Sequence, residues 1–277
     1  MPRLLALLLL LLAPAALLAG EFWLEAPRLR LAPGDTLALR PQVGDQFVGH
    51  PWPGGPAKIQ RLTRYGPAPA DSAALLPADT LRVAFARPGL HLLALQTTET
   101  VAELPGPAFD AYLQAQGLSR PLAQRAAAEQ AAAPGREAYR RCATTLLQVG
   151  DPATQPRSLD TTALRPHGLP LALVPEQNPY RLAPGRSLTV RLWQAGQPVA
   201  GGLVQVWQRQ PAGLPPTRFA TRTNAAGRII IKLPGPGPYL LAAVAMQPAP
   251  PALRARAEWQ SVWASLTFGG PAAVARR

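Results

Sequence analysis

The chain has 277 residues, with 28 Lys and Arg against 15 Asp and Glu and a formal net charge of +13. Its single cysteine, Cys142, excludes an intramolecular disulfide, so stability has to come from packing, and a buried structural thiol is expected there. The arginines are dispersed, with no basic block interleaved with aromatics, which argues against nucleic acid as a partner and leaves anionic envelope polymers or a negatively charged protein.

Arg3 precedes an apolar run from Leu4 to Leu18, too short to span a bilayer comfortably and placed where a secretory signal would be. Residues 1–20 are expected to be a signal peptide cleaved between Ala13 and Glu21. The protein is then exported, periplasmic or in the cell envelope, with no transmembrane span after signal removal. Enough chain remains to bury roughly 70 to 75% of its unfolded surface.

Residues 21–106 read as an N-terminal β-sandwich module. Phe22 and Leu24 alternate with Trp23 and Glu25, Leu37 and Leu39 with Thr36 and Arg40, and Leu81, Val83 and Phe85 with Arg82 and Ala84. Turn signals at Pro33-Gly34-Asp35, Pro53-Gly54-Gly55 and Pro88-Gly89 separate the runs. Gln46 to Trp52 reads as a hydrophobic plug closing one end, with a binding rim as the alternative. His91 falls opposite the leucine face of its strand, as a solvated residue would.

Composition changes after Pro107. Phe109, Tyr112 and Leu113 before Gly117 predict a short helix, Ser119 caps an Ala-rich second one, and Arg136 to Leu147 carries Tyr139, Ala143 and Leu146 at helical spacing. Residues 107–150 are therefore expected to form a helical insert, and residues 151–167 a polar connection.

Residues 168–270 predict a second antiparallel sandwich, followed by a tail at 271–277. Val204 and Val206 alternate with Gln205 and Trp207, and Ile229, Ile231 and Leu233 with Arg228 and Lys232; Asn224 to Gly227 supplies the turn between strands. In the closing stretch Val262, Ala264, Leu266 and Phe268 share one face, and Trp259 and Trp263 the other. Two outward tryptophans need a cover. The helical insert or the first module would supply it; a ligand-stacking surface is the alternative. The fold class is mainly β, with two antiparallel β-sandwich modules bridged by a short helical insert.

Gly196, Pro198, Val199 and Gly201, then Thr221, Thr223 and Gly227, then Gly237 and Tyr239 follow the order found in the sandwiches that this module resembles, the transthyretin-like and carboxypeptidase-regulatory-like ones. Such modules usually act as non-catalytic platforms. A resemblance covering nearly the whole chain is carried by GEFWLEAP at Gly20 to Pro27, FDAYLQAQGL at Phe109 to Leu118, REAYRRCATTLLQVG at Arg136 to Gly150, GLPLALVPEQNPYRLAPG at Gly168 to Gly185, and EWQSVWASLTF at Glu258 to Phe268. These blocks look like the DUF4198 family of exported bacterial proteins. The resemblance implies a nickel- or cobalt-uptake setting, with an envelope protein or a metal-permease component as partner.

Where that family's opening typically carries a histidine, this chain has Gly20, and where a later block usually reads Val-His-Met it has Val244-Ala245-Met246. The remaining His50, His91 and His167 form no paired arrangement, so no metal ligand is assigned and nickel or cobalt enters by resemblance only. No nucleophile elbow, phosphate-binding loop or zincin pair occurs, and an enzyme is not expected. The candidate ligand-binding residues are Glu21, Trp23, Trp259 and Trp263. The functional expectation is an exported, non-enzymatic accessory or binding protein, with a structural or adhesive envelope module as the alternative.

Overall fold

The computed structural model describes residues 20–68, 73–211 and 214–272. The expected signal segment and the end of the tail lie outside them. Among the described residues no helix is long and apolar enough to cross a membrane. The fold is mainly β.

In chain order the first strands are β1 (Glu21–Glu25), β2 (Arg30–Leu31), β3 (Asp35–Asp45), β4 (Val48–Pro51), β5 (Ile59–Tyr65), β6 (Ala73–Ala74), β7 (Leu81–Phe85), β8 (Gly89–Thr97) and β9 (Thr100–Leu104). Two helices follow, α1 (Gly106–Ala115) and α2 (Ser119–Ala127), and then the long β10 (Gly135–Val149). The remainder is β11 (Leu171–Pro175), β12 (Ser187–Gln194), β13 (Gln197–Pro198), β14 (Leu203–Gln208), β15 (Thr217–Arg222), β16 (Arg228–Lys232), β17 (Pro238–Pro248) and β18 (Trp259–Gly269).

These strands make three sheets. A ten-stranded sheet runs β15-β14-β17-β18-β10-β8-β5-β6, with β2 and β9 also on β10. A four-stranded sheet joins β1, β3, β4 and β7, and another joins β11, β12, β13 and β16. The two small sheets lie on opposite faces of the large one. On one face Trp23 of β1 packs with Trp207, Leu240 and Ala242, and the Thr145 hydroxyl donates to the Leu24 carbonyl at 2.8 Å. On the other, Leu169, Ala172 and Val174 close over Ala94 and Cys142. The two sandwiches therefore share their middle layer, and one large core of Leu, Val, Ile and Phe runs through both.

Strand β10 makes that sharing possible, and it corrects the expected third helix. It pairs in parallel with β18 over Glu137–Thr145, and antiparallel with β9 at one end and β8 at the other. From Arg141 to Val149 it is buried on both faces. A strand covered on both sides loses its alternation, and the apolar positions that remain can fall at helical spacing by chance. The helical part of the insert is confined to α1 and α2. Tyr112 and Leu113 of α1 bury against Trp259 and Trp263 of β18, which supplies the cover that those tryptophans need.

His91 is the second correction. It is 2% exposed, sets its ring edge-on to Phe85 with centroids 5.3 Å apart, and lies 2.9 Å from the Arg87 carbonyl through Nε2. Strand β8 is interior to the large sheet with both faces covered, so the side opposite Leu90 and Leu92, which His91 shares with Leu93 and Leu95, meets the N-terminal small sheet and not water. Of the Gln46–Trp52 segment, Phe47 acts as the plug, while Val48 to Pro51 are exposed. Phe47 is buried against Trp23, ring centroids 5.5 Å apart, and the half-buried Trp52 packs edge-on against Phe22 at 5.2 Å.

Candidate functional site

The four residues carried from the sequence fall in two separate buried junctions. Trp23 seals the first, its indole N–H donating to Glu25 Oε2 at 2.6 Å. Glu21, on the same side of β1, is 4% exposed, and its Oε2 has no hydrogen-bond partner among the described residues. Burial first, and the Asp45 carboxylate second, push its carboxyl up to about 7; Arg218 opposes the shift. The backbone N–H groups near Gln46 partly compensate. A carboxyl so enclosed can change protonation near neutrality, but it opens into no cleft.

Trp259 and Trp263 form the second junction, beneath α1, with Tyr112 stacked on Trp263 at 6.0 Å between centroids. Under that stack the Glu137 carboxylate accepts from the Tyr112 hydroxyl at 3.1 Å and from the Ser261 hydroxyl. Burial holds the Glu137 carboxyl above its ordinary range and drives the Tyr112 phenol up as well. The same burial pushes the Cys142 thiol up to about 11. Tyr112, Glu137 and Ser261 are polar but sealed, which suits them to holding α1 on the sheet; Cys142 lies on the opposite face, under Ala172 and Val174.

Open surface lies elsewhere, at the free edge of the C-terminal sandwich. Strands β15 and β16 are consecutive in the chain and belong to opposite sheets. They are joined by the Asn224 turn, where Asn224 Oδ1 accepts from Ala226 and Arg228 N–H at 3.0 and 2.9 Å and Gly227 takes φ +72°. No ladder joins the two strands; β15 pairs with β14 and β16 with β12. A groove of about 1060 Å³ opens between them. Val206, Phe219, Ile231 and Tyr239 line it, and the Pro234-Gly235-Pro236-Gly237-Pro238 loop forms its rim.

Its charged lining residues are Arg209 and Lys232, and no carboxylate lines it. Arg209 is already held by Glu25, at 2.8 and 3.0 Å. The Tyr239 hydroxyl is engaged with Gly235, donating to its carbonyl at 3.1 Å. The arrangement can bury apolar groups and attract one anion; it offers no nucleophile with a base beside it. Among the described residues no group of three His, Cys, Asp or Glu is placed to hold a metal. Reading the sequence missed this groove because Phe219 and Ile231 look like core residues of alternating strands. The signal available was the Pro-Gly rim, which cannot continue a ladder past β16.

The chain matches the family described as Domain of unknown function (DUF4198) over residues 17–247, and it belongs to that family. Comparison with curated proteins gives no match. Among solved structures, trypsin-activated alpha-2-macroglobulin from Escherichia coli is similar at 12% identity and a TM-score of 0.21; the likeness covers 92% of this chain and 16% of that one. The D0-D1 domain of intimin is similar at 12% identity and a TM-score of 0.19, over 90% of this chain and 97% of that one. A carbohydrate-binding module of the β-sandwich superfamily, described as promiscuous in specificity, is similar at 10% identity and a TM-score of 0.23, over 77% and 83%. At these scores the likenesses decide neither the fold nor the role.

Proposed function

We propose that this protein is an exported, non-enzymatic binding protein of the DUF4198 family that holds its ligand in the groove between β15 and β16. The observation that carries the reading is the groove itself. It is large, apolar and open, it lies on a rigid sandwich, and it has no acid, base or nucleophile arranged for chemistry. The transthyretin-like character of the C-terminal module belongs to the proposal, supported by the order of the β12–β13 hairpin, the Asn224 turn and β17. The nickel- or cobalt-uptake setting rests on the family resemblance alone, with a permease component or another envelope protein as the partner.

The test is a photo-crosslinking residue in place of Phe219, in protein made in its own host. A discrete adduct in the envelope fraction, on material whose N-terminus lies between Ala13 and Glu21, is the expected result. Protein retained inside the cell with Met1 intact, or crosslinks no different from those at an exposed position on the opposite side such as Val48, would overturn the reading.

A further inference from the structure

The C-terminal sandwich is one strand short on one side. Its part of the large sheet presents β18, β17, β14 and β15, and the small sheet facing them stops at β16. Phe219 shows the consequence. It is the cross-strand partner of Val206, so both point to the same face, toward the small sheet. Val206 is 1% exposed within the main core, whereas Phe219 is 45% exposed. The difference is that β16 is the last strand of the facing layer, and nothing among the described residues lies beyond it.

We infer that an extended segment of a partner protein occupies this place, pairing as an additional strand with the free edge of β16. The inference rests on the binding role proposed above. Sheet neighbours lie about 4.8 Å apart, so a strand added to β16 falls beneath β15, where its inward side chains cover Phe219. Main-chain pairing supplies affinity, and alternate side chains supply specificity. On its outer side the strand runs beside Ile230, which is 70% exposed, and Lys232.

Ile230 and Lys232 set the chemistry of the guest. It carries apolar residues alternating toward the core, an apolar residue opposite Ile230, and a carboxylate for Lys232, which has no carboxylate partner among the described residues. A second copy of this chain is a poor occupant, because a net charge of +13 repels its own kind. The rim also keeps the edge accessible. The prolines at 234, 236 and 238 withhold backbone donors just past β16, so the chain's own continuation cannot fold back onto that edge.

A tethered strand tests this without knowing the partner. Gly270 N–H donates to the Pro236 and Gly237 carbonyls at 3.3 and 3.2 Å, so the chain after β18 passes the groove's rim. A short alternating Val and Thr strand with a Glu to meet Lys232, appended to the C-terminus through a flexible linker, is then present at an effective concentration of order millimolar. The expected result is at least about tenfold slower hydrogen exchange at the Ile229–Lys232 amides that are free in the parent, together with a higher Tm. A proline-interrupted strand should do neither. Exchanging the strand's Glu for Lys should weaken the effect, and Lys232→Glu should restore it.

Unchanged exchange at β16 with the intact strand would overturn the inference, and so would protection confined to β15. A dimer of the parent chain abolished by Phe219→Arg would assign the groove to a second copy instead. If the crosslink at Phe219 is found but the tethered strand leaves β16 unprotected, the strand fails and the binding role stands. Absence of the crosslink removes the role itself.

Discussion

The guanidinium of Arg209 lies 4.0 Å over the ring of Phe47, joining the end of β14 to the β3–β4 hairpin of the N-terminal small sheet. Phe47 needs such a hold. It sits with Gln46 in a two-residue turn at φ +61° and +53°, a turn of the kind that usually takes Asn and Gly. The same guanidinium is forked onto Glu25, which accepts the Trp23 indole N–H. One cation thus ties a strained turn, a buried tryptophan and two sheets together.

Arg209→Lys should therefore cost on the order of 1–2 kcal/mol, because an ammonium can neither fork onto both oxygens of Glu25 nor lie flat on the ring. Thermal unfolding measures it. A loss no larger than that of a change at an exposed arginine such as Arg82 would show that the contact is incidental.

The two faces of β16 give a second prediction. Ile231 is 1% exposed and Ile230 is 70% exposed. Ile231→Ala should cost roughly 2–5 kcal/mol, as other buried truncations do, and Ile230→Ala within about 0.5 kcal/mol. Denaturant titration of both variants compares them. Equal losses would mean that the edge is already covered in the free protein, by a second copy or by chain outside the described residues.

Glu21 gives a pH dependence whose sign follows from its raised carboxyl. With the folded value at about 7 against an ordinary 4.5, the folded protein binds more protons than the unfolded chain between those limits. Stability from this group is then fully present below pH 4.5 and is lost as pH rises to about 7. Glu21→Gln, which removes the ionisation, should match the parent at pH 4 and exceed it above pH 7 by up to about 3 kcal/mol. Chemical denaturation across that range reads the difference. A gain that does not grow with pH would mean that Glu21 remains ionised when folded.

Alternation carried much of the fold into the sequence. The strand pattern of Ile229, Ile231 and Leu233, the Asn224–Gly227 turn and the plug at Phe47 are all present as expected, since each has one buried face or a turn with a specific residue requirement. Strand β10 was hidden because both of its faces are covered. The opposite stacking of the small sheets was hidden too. Tertiary partners decide which face of a strand is core, and no local pattern in β17 distinguishes the side that meets Trp23 from the side that meets β11 and β12. Of the candidate site, the tryptophans were legible as residues needing cover, and the insert that covers them was one of the two covers expected. The groove was not legible, because it arises where a strand is missing.

The last prediction concerns metal. Gly20 and Ala245 stand where the family resemblance places imidazoles, and the layering decides whether histidines there could meet. Gly20 leads into β1, whose layer lies on the face of the large sheet that carries Leu240 and Ala242. Ala245 is an odd-numbered residue of β17, packed with Leu241 and Ala243 on the side of the main core that faces the C-terminal small sheet. Packed sheets are about 10 Å apart, whereas two imidazoles sharing a transition metal each need a bond of about 2 Å. Gly20→His with Ala245→His should thus give no more nickel or cobalt affinity than the sum of the single changes. Isothermal titration of the tag-free double variant and both single variants is the measurement. A tighter one-to-one site seen only in the double variant would mean that the two positions come together, and that β1 or β17 takes another arrangement in the metal-bound protein.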